Sequence, residues 1–227
     1  MCGIAGIFAY QESAPPVDEG ELLRIREAMI NRGPDGAGLW LSTDNRVGLA
    51  HRRLAIIDLS ETGAQPMATD DGQLRITFNG EIYNYRTLRR ELEAKGVRFR
   101  SESDTEVLLH LYADRGMDMV HALRGMYTFG IWDERRKGLF LARDPFGIKP
   151  LYYTNDGATL RFASQVKALA AGGGVNLTSD PAGHAGFYLW GHLPEPFTMY
   201  REVQALPAGT TLWLDRSGRP EVKRYVS

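Results

Sequence analysis

Short apolar segments that come in pairs across tight turns limit what this chain can fold into. "MYTFGIWD" (126–133) and "GLFLARD" (138–144) flank a charged turn, and "PLYYT" (150–154) and "LRFAS" (160–164) flank Asn-Asp-Gly. Each pair reads as a β-hairpin. "LPAGTTLWLDRSGRP" (206–220) predicts a final hairpin, and "CGIAGIFAY", "LAHRRLAIIDLS", "LRITF" and "VRFRS" read as further strands. Helices fall between these blocks. Asp18 and Glu21 form a D-x-x-E capping box before a helix with Leu22, Ile25 and Met29 on one face, expected to end near Gly33-Pro34. "RGPDGAG" reads as a turn. Ser103 and Glu106 make a second box before "TEVLLHLYADRG", Asn84 offers a cap to "YRTLRRELEAKG", and "QVKALAAG" is a short helix. Antiparallel strands with helices set between them give an α+β fold, with packed sheets and helices outside. No interior stretch reads as a linker, so residues 1–227 are expected to form one domain.

Charge and cysteine usage narrow the function. The net charge is −1, so no basic field points to nucleic acid. No apolar run approaches membrane-spanning length, and the opening segment lacks the basic flank of a signal peptide. One cysteine in 227 residues supports no disulfide framework and suits a reducing cytoplasm. The five histidines lack metal-ligand spacing, so no metal site is expected.

That single cysteine is residue 2. If Met1 is removed, Cys2 carries the chain's α-amine, whose reference pKa of about 7.7–8.0 makes it a general base near neutrality. Sulfur and base then share one residue, the N-terminal nucleophile arrangement. With Met1 in place the nitrogen is an amide and has no basic lone pair. Gly3 is expected to let the backbone approach a substrate closely. The plainer reading makes Cys2 a small apolar residue opening a buried strand.

Acyl transfer needs donors aimed at a developing oxyanion, each worth about 10²–10³ in rate. In "FNGEIYNY", Asn79 can offer its side-chain amide and Gly80 its backbone N–H, although Asn-Gly is also the commonest hairpin turn. The short "EIY" before the next helix does not balance "LRITF" as a hairpin would. Arg53 can clamp a carboxylate at two points, or be an exposed strand arginine. Asp104 can hold an ammonium group, or be an acidic residue in a first helical turn. Together they describe a pocket for a free amino acid.

The motifs "MCGIAGIF", "NRGPDGAG", "HRRLAIIDLS", "AQPM", "NGEIYNY", "SDTEVLL", "LRGMYTFGIWD" and "RDPFGIKPLYY" span nearly the whole chain. In that order the chain resembles the glutaminase domain of class II glutamine amidotransferases, in particular glutamine-dependent asparagine synthetases. The resemblance implies a four-layer αββα sandwich of the N-terminal nucleophile hydrolase type. It implies that Cys2 attacks the side-chain amide of glutamine and forms a γ-glutamyl thioester, with Asn79 and Gly80 as the oxyanion hole. It assigns the glutamine carboxylate to Arg53, the α-amine to Asp104 with the Gly80–Glu81 segment, and backbone contacts near the arginine to Leu54 and Ile56. Similar chains often read "FASE" where Gln165 stands here. Family members continue into an ATP-using synthetase domain with an SGG-x-D-S loop, and that motif is absent from these residues. The implied partners are therefore glutamine and a synthetase domain, in cis or in trans, with a homodimer left open. ATP and magnesium are expected only for the synthetase domain, and no cofactor is expected here. Aspartate is the default acceptor of the ammonia. The alternatives are an amidotransferase with another acceptor, or a glutamine-binding regulatory module without turnover.

Overall fold

Alternation in the opening strand already shows how the layers form. In β1 (Gly3–Ala9), Ile4 and Phe8 point to one face, and Ala5, Ile7 and Ala9 to the other. Both faces are buried, so the strand has packing on each side. The computed structural model describes residues 1–56 and 60–226. After β1 come α1 (Glu19–Glu27), β2 (Gly36–Leu41), β3 (Val47–Arg53), β4 (Met67–Ala68) and β5 (Leu74–Ile82). Then follow α2 (Tyr85–Ala94), α3 (Asp104–Arg115), β6 (Gly125–Asp133), β7 (Gly138–Arg143), β8 (Tyr152–Asn155) and β9 (Thr159–Ala163). The chain continues through α4 (Val166–Gly172), α5 (Pro181–Trp190), β10 (Gln204–Ala205), β11 (Thr210–Asp215) and β12 (Glu221–Arg224).

The strands form two antiparallel sheets, ordered β10-β8-β9-β1-β3-β2 and β12-β11-β7-β6-β5-β4. Three apolar cores separate four layers. Ala5, Ile7 and Ala9 pack on Leu22, Ile25 and Met29 of the α1 segment and on Leu169 of α4. Between the sheets lie Ile4, Phe8, Leu49, Trp132, Leu141 and Phe162. Ile76, Phe78, Tyr127 and Phe129 of the second sheet meet Leu88 of α2 and Leu108 of α3. The result is the αββα sandwich. Phe162 keys the central layer: a Cβ on Gly6 would lie 2.3 Å from its ring, and one on Gly130 2.7 Å. Glycine on each sheet therefore makes room for one aromatic side chain between them.

All three hairpins form as the turns predict. Several other expectations are corrected. The first helix stops at Glu27, and the chain then winds on through short-range turns, Met29 N–H to Arg26 O, Arg32 N–H to Met29 O and Gly33 N–H to Ile30 O. These turns carry Arg32 to the start of β1. The stretch read as the turn "RGPDGAG" enters β2 at Gly36 and pairs with β3. The strand through "LAHRRLAIIDLS" ends at Arg53, and residues 57–59 of that expectation lie outside the described residues. "VRFRS" is not a strand. The Glu106 carboxylate takes the N–H groups of Arg100 (2.9 Å) and Ser101 (2.7 Å), donors that a ladder would need. Both capping boxes close only in part. Asp18 and Ser103 accept helix N–H groups, but Glu21 reaches Arg161 at 2.6 Å and Glu106 reaches Ser101. Asn84 does not cap α2 with its side chain; it bridges the Ala122 carbonyl and the Arg124 N–H. Helix α5 was not foreseen. It is capped by Asp180, begins at Pro181 and ends at Gly191 in the left-handed region. Among the described residues no helix is long and apolar enough to cross a membrane.

Candidate active site

Parts of four elements converge on one cleft. Cys2 precedes β1, Arg53 closes β3, Asn79 and Gly80 lie inside β5, and Asp104 opens α3. All the sequence-predicted residues, Cys2, Arg53, Leu54, Ile56, Asn79, Gly80, Glu81 and Asp104, line one cleft. The cleft holds about 580 Å³ of empty space, counting its open mouth.

The Cys2 sulfur is gripped by the backbone of Leu54. Leu54 N–H donates to Sγ at 3.4 Å, and the thiol lies 3.6 Å from the Leu54 carbonyl. Arg32 Nε donates to the Cys2 carbonyl at 3.0 Å. Burial pushes the thiol pKa up; the Leu54 N–H, the N-terminal amine, Arg53 and Arg32 act against it. The side of Gly3 where a Cβ would stand faces Met29, at 2.9 Å. Gly3 thus leaves room for the Met29 side chain in the core under the α1 segment.

The register of β5 fixes the donors opposite the sulfur. Tyr83 N–H donates to the Arg124 carbonyl at 2.7 Å, so hydrogen-bonded pairs on this side of β5 fall at odd residues. Phe78, Gly80 and Ile82 therefore direct their N–H groups away from β6. Gln65 Oε1 takes the first at 2.6 Å, and Asp104 Oδ2 takes the third at 3.0 Å. The Gly80 N–H lies between these two on the edge that lines the cleft. Asn79 is 1% exposed, and its Nδ2 has no hydrogen-bond partner among the described residues. A buried amide donor without a partner calls for an explanation, and at a cleft wall a catalytic role is one. Asn-Gly is no hairpin turn here, because the strand runs straight through it to Ile82. The glycine itself serves the sheet: a Cβ would stand 2.3 Å from the Met126 carbonyl oxygen.

The charged groups sit around this pair. Arg53 Nη1 donates to the Ser60 carbonyl at 2.8 Å, which holds the guanidinium at the cleft. Asp104 is 4% exposed, and burial raises its carboxyl pKa to about 6. The Ile82 and Thr105 N–H groups oppose that rise, and the nearby Glu81 adds to it. Sequence reasoning missed Lys149, Thr105 and Gln65 as cleft residues, and Arg32 behind the nucleophile. Gln65 Nε2 donates to Thr105 Oγ1 at 3.1 Å while its Oε1 holds Phe78, so this side chain ties α3 to β5. Gln65, Arg32 and Lys149 lie inside the motifs "AQPM", "NRGPDGAG" and "RDPFGIKPLYY", but nothing in their residue type marked them. Gln165 precedes α4, and its Oε1 is buried without a partner among the described residues. Nothing in the structure explains the replacement of a carboxylate there.

Known proteins are similar to this chain. The chain is 40% identical over 226 residues to asparagine synthetase [glutamine-hydrolyzing] 1 of Bacillus subtilis (strain 168), a match covering 99% of this chain and 35% of that protein. It is 36% identical over 222 residues to asparagine synthetase [glutamine-hydrolyzing] 3 of the same organism, covering 96% of this chain and again 35% of the relative. The chain thus spans about a third of the length of these relatives. Glutamine phosphoribosylpyrophosphate amidotransferase from B. subtilis, solved with ADP and GMP, superposes with a TM-score of 0.70 at 23% identity, over 99% of this chain and 49% of that one. The four-layer sandwich is accordingly the N-terminal nucleophile fold. The model of the family described as "Glutamine amidotransferase domain" matches residues 1–226, and the chain belongs to that family.

Proposed function

We propose that this domain hydrolyses the side-chain amide of glutamine to glutamate and ammonia through a thioester on Cys2. Removal of Met1 exposes the α-amine, which takes the thiol proton as sulfur attacks the amide carbon. The oxyanion of the tetrahedral intermediate is held by Asn79 Nδ2 and the Gly80 N–H. The α-ammonium then returns a proton to the leaving nitrogen, and ammonia departs. Water, deprotonated by the same amine, attacks the thioester carbon and releases glutamate. Arg53 binds the glutamine carboxylate through its guanidinium fork. Asp104, with the Gly80–Glu81 segment, binds the α-ammonium, and the backbone of Leu54 fixes the sulfur beside it. This chemistry uses the chain's own side chains and backbone, without a cofactor or metal.

One observation carries the reading: a buried, unpartnered amide on Asn79 lines the same cleft as the sole cysteine. The names of the relatives support ATP-dependent asparagine synthesis from aspartate as the destination of the ammonia, in a synthetase portion beyond this domain. Helix α5 offers a surface for that portion. Tyr188, Leu189 and Trp190, consecutive at its C-terminal end, are 83%, 72% and 62% exposed. Glutamate release by the purified, Met1-free domain is the test, with Cys2→Ala expected to abolish release and to keep glutamine binding. Binding of glutamine by the processed wild type without any release, even beside the synthetase portion, would favour a regulatory module instead.

A further inference from the structure

Lys149 stands in the cleft wall with its backbone fixed on both sides. The loop that joins β7 to β8 crosses here from the second sheet to the first. The Asp144 carboxylate accepts the N–H groups of Phe146 at 3.1 Å, Ile148 at 3.0 Å and Lys149 at 2.9 Å. Arg143 Nε donates to the Lys149 carbonyl at 2.8 Å, and Arg143 Nη2 to that of Gly147 at 2.7 Å. Lys149 is 6% exposed and lines the cleft with Cys2 and Glu81. A lysine this buried is normally ion-paired. Among the described residues no carboxylate comes within 4.0 Å of this ammonium.

Other charges stand around the cleft: Arg53 from β3 and Arg32 from the turns after α1 act on the sulfur, and Glu81 from β5 and Asp104 from α3 line the same wall. Arg53 is tied to the Ser60 carbonyl and Arg32 to the Cys2 carbonyl. Among the described residues the ammonium of Lys149 has no such engagement. Burial makes it easier to deprotonate, with Arg32 adding to that, while Glu81, Asp144 and Cys2 favour its charged form. A cation kept charged in that setting also favours the ionised form of a thiol lining the same cleft.

We propose that the Lys149 ammonium, the buried cation of the cleft wall, adds to the charges of Arg53 and Arg32 in favouring the thiolate of Cys2. The inference deepens the glutaminase reading and rests on it. The thiol proton passes to the α-amine freed by loss of Met1, and the sulfur keeps the bonding pair in the cleft that Lys149 lines. The test is the pH dependence of Cys2 alkylation by iodoacetamide in the Met1-free protein, followed by intact mass spectrometry, with Cys2→Ala as the reagent control. Lys149→Met should shift the alkylation midpoint upward by about one pH unit and slow alkylation at neutral pH roughly tenfold. Lys149→Arg should stay within about threefold of wild type, and Glu81→Gln should move the midpoint downward. An unchanged midpoint in a folded Lys149→Met protein would overturn the proposal. If that variant does not fold, Lys149→Gln and Glu81→Gln decide by the same criterion. The readout needs no glutamine: normal thiolate behaviour without glutamate release would sink the glutaminase reading and leave the role of Lys149 standing.

Discussion

Replacing Asn79 by leucine should separate function from stability in opposite directions. The residue is 1% exposed, and its Nδ2 has no partner among the described residues. A buried donor in that state costs the fold about 1–3 kcal/mol. Leucine has a similar volume, and swaps that conserve volume usually cost less than about 1.5 kcal/mol. The two effects offset, so Asn79→Leu should leave stability unchanged or raise it by about 1 kcal/mol. The neighbour across the ladder, Thr128, is no obstacle, because its buried Oγ1 makes no bond to Asn79. Loss of the oxyanion donor should meanwhile lower kcat about 10²–10³-fold, with KM for glutamine little changed. Urea unfolding gives the first quantity and coupled detection of glutamate the second. A stability loss above about 2 kcal/mol with kcat intact would refute the reasoning, since the amide would then hold the fold and not the transition state.

Gly80→Ala should behave differently, because its Cβ would stand 2.3 Å from the Met126 carbonyl and 2.7 Å from Tyr127 Cα. Both kcat and the urea midpoint should fall, with a stability loss of about 1–3 kcal/mol. Asp104 must be ionised to hold an ammonium group, and burial raises its pKa to about 6. KM for glutamine should therefore rise as pH falls through about 6, and Asp104→Asn should show a high, pH-independent KM. The stability effect has the opposite sense. The folded carboxyl binds its proton more tightly than the unfolded one, so this group's contribution falls as pH rises from about 4 to 6 and is flat above. Scanning calorimetry of wild type and Asp104→Asn across that window checks it. Tyr188→Asp combined with Trp190→Asp should leave glutamate release by the domain unchanged and weaken its association with the synthetase portion, measured by analytical ultracentrifugation.

The hairpins were legible because alternating apolar residues and turn chemistry agree with each other at those positions. β6–β7 and β8–β9 form as their turn residues dictate. Helix α5 was hidden by composition. Its sequence "PAGHAGFYLW" carries two glycines and a run of apolar residues that face outward, so no buried stripe marks it as a helix. "VRFRS" looked like a strand by its alternation, yet Glu106 from the following helix captures its backbone donors. That is a tertiary contact, and local pattern does not show it. At the site, Cys2, Arg53, Asn79 and Asp104 were legible because their chemistry is specific to residue type. Lys149 and Gln65 were not. A lysine in a loop is ordinarily solvated, and only the pinning of residues 144–149 by Asp144 and Arg143 turns this one into the cleft. At Gly3 and Gly80 glycine also answers to packing, because Met29 and β6 occupy the space where a Cβ would stand.

The most direct test compares two forms of one protein, with and without Met1, by intact mass and by glutamate release from glutamine. The Met1-free form should release glutamate and, when quenched during turnover, carry a γ-glutamyl adduct on Cys2, while the form retaining Met1 should do neither. Equal rates from both forms, or turnover with no adduct on the cysteine, would contradict the account.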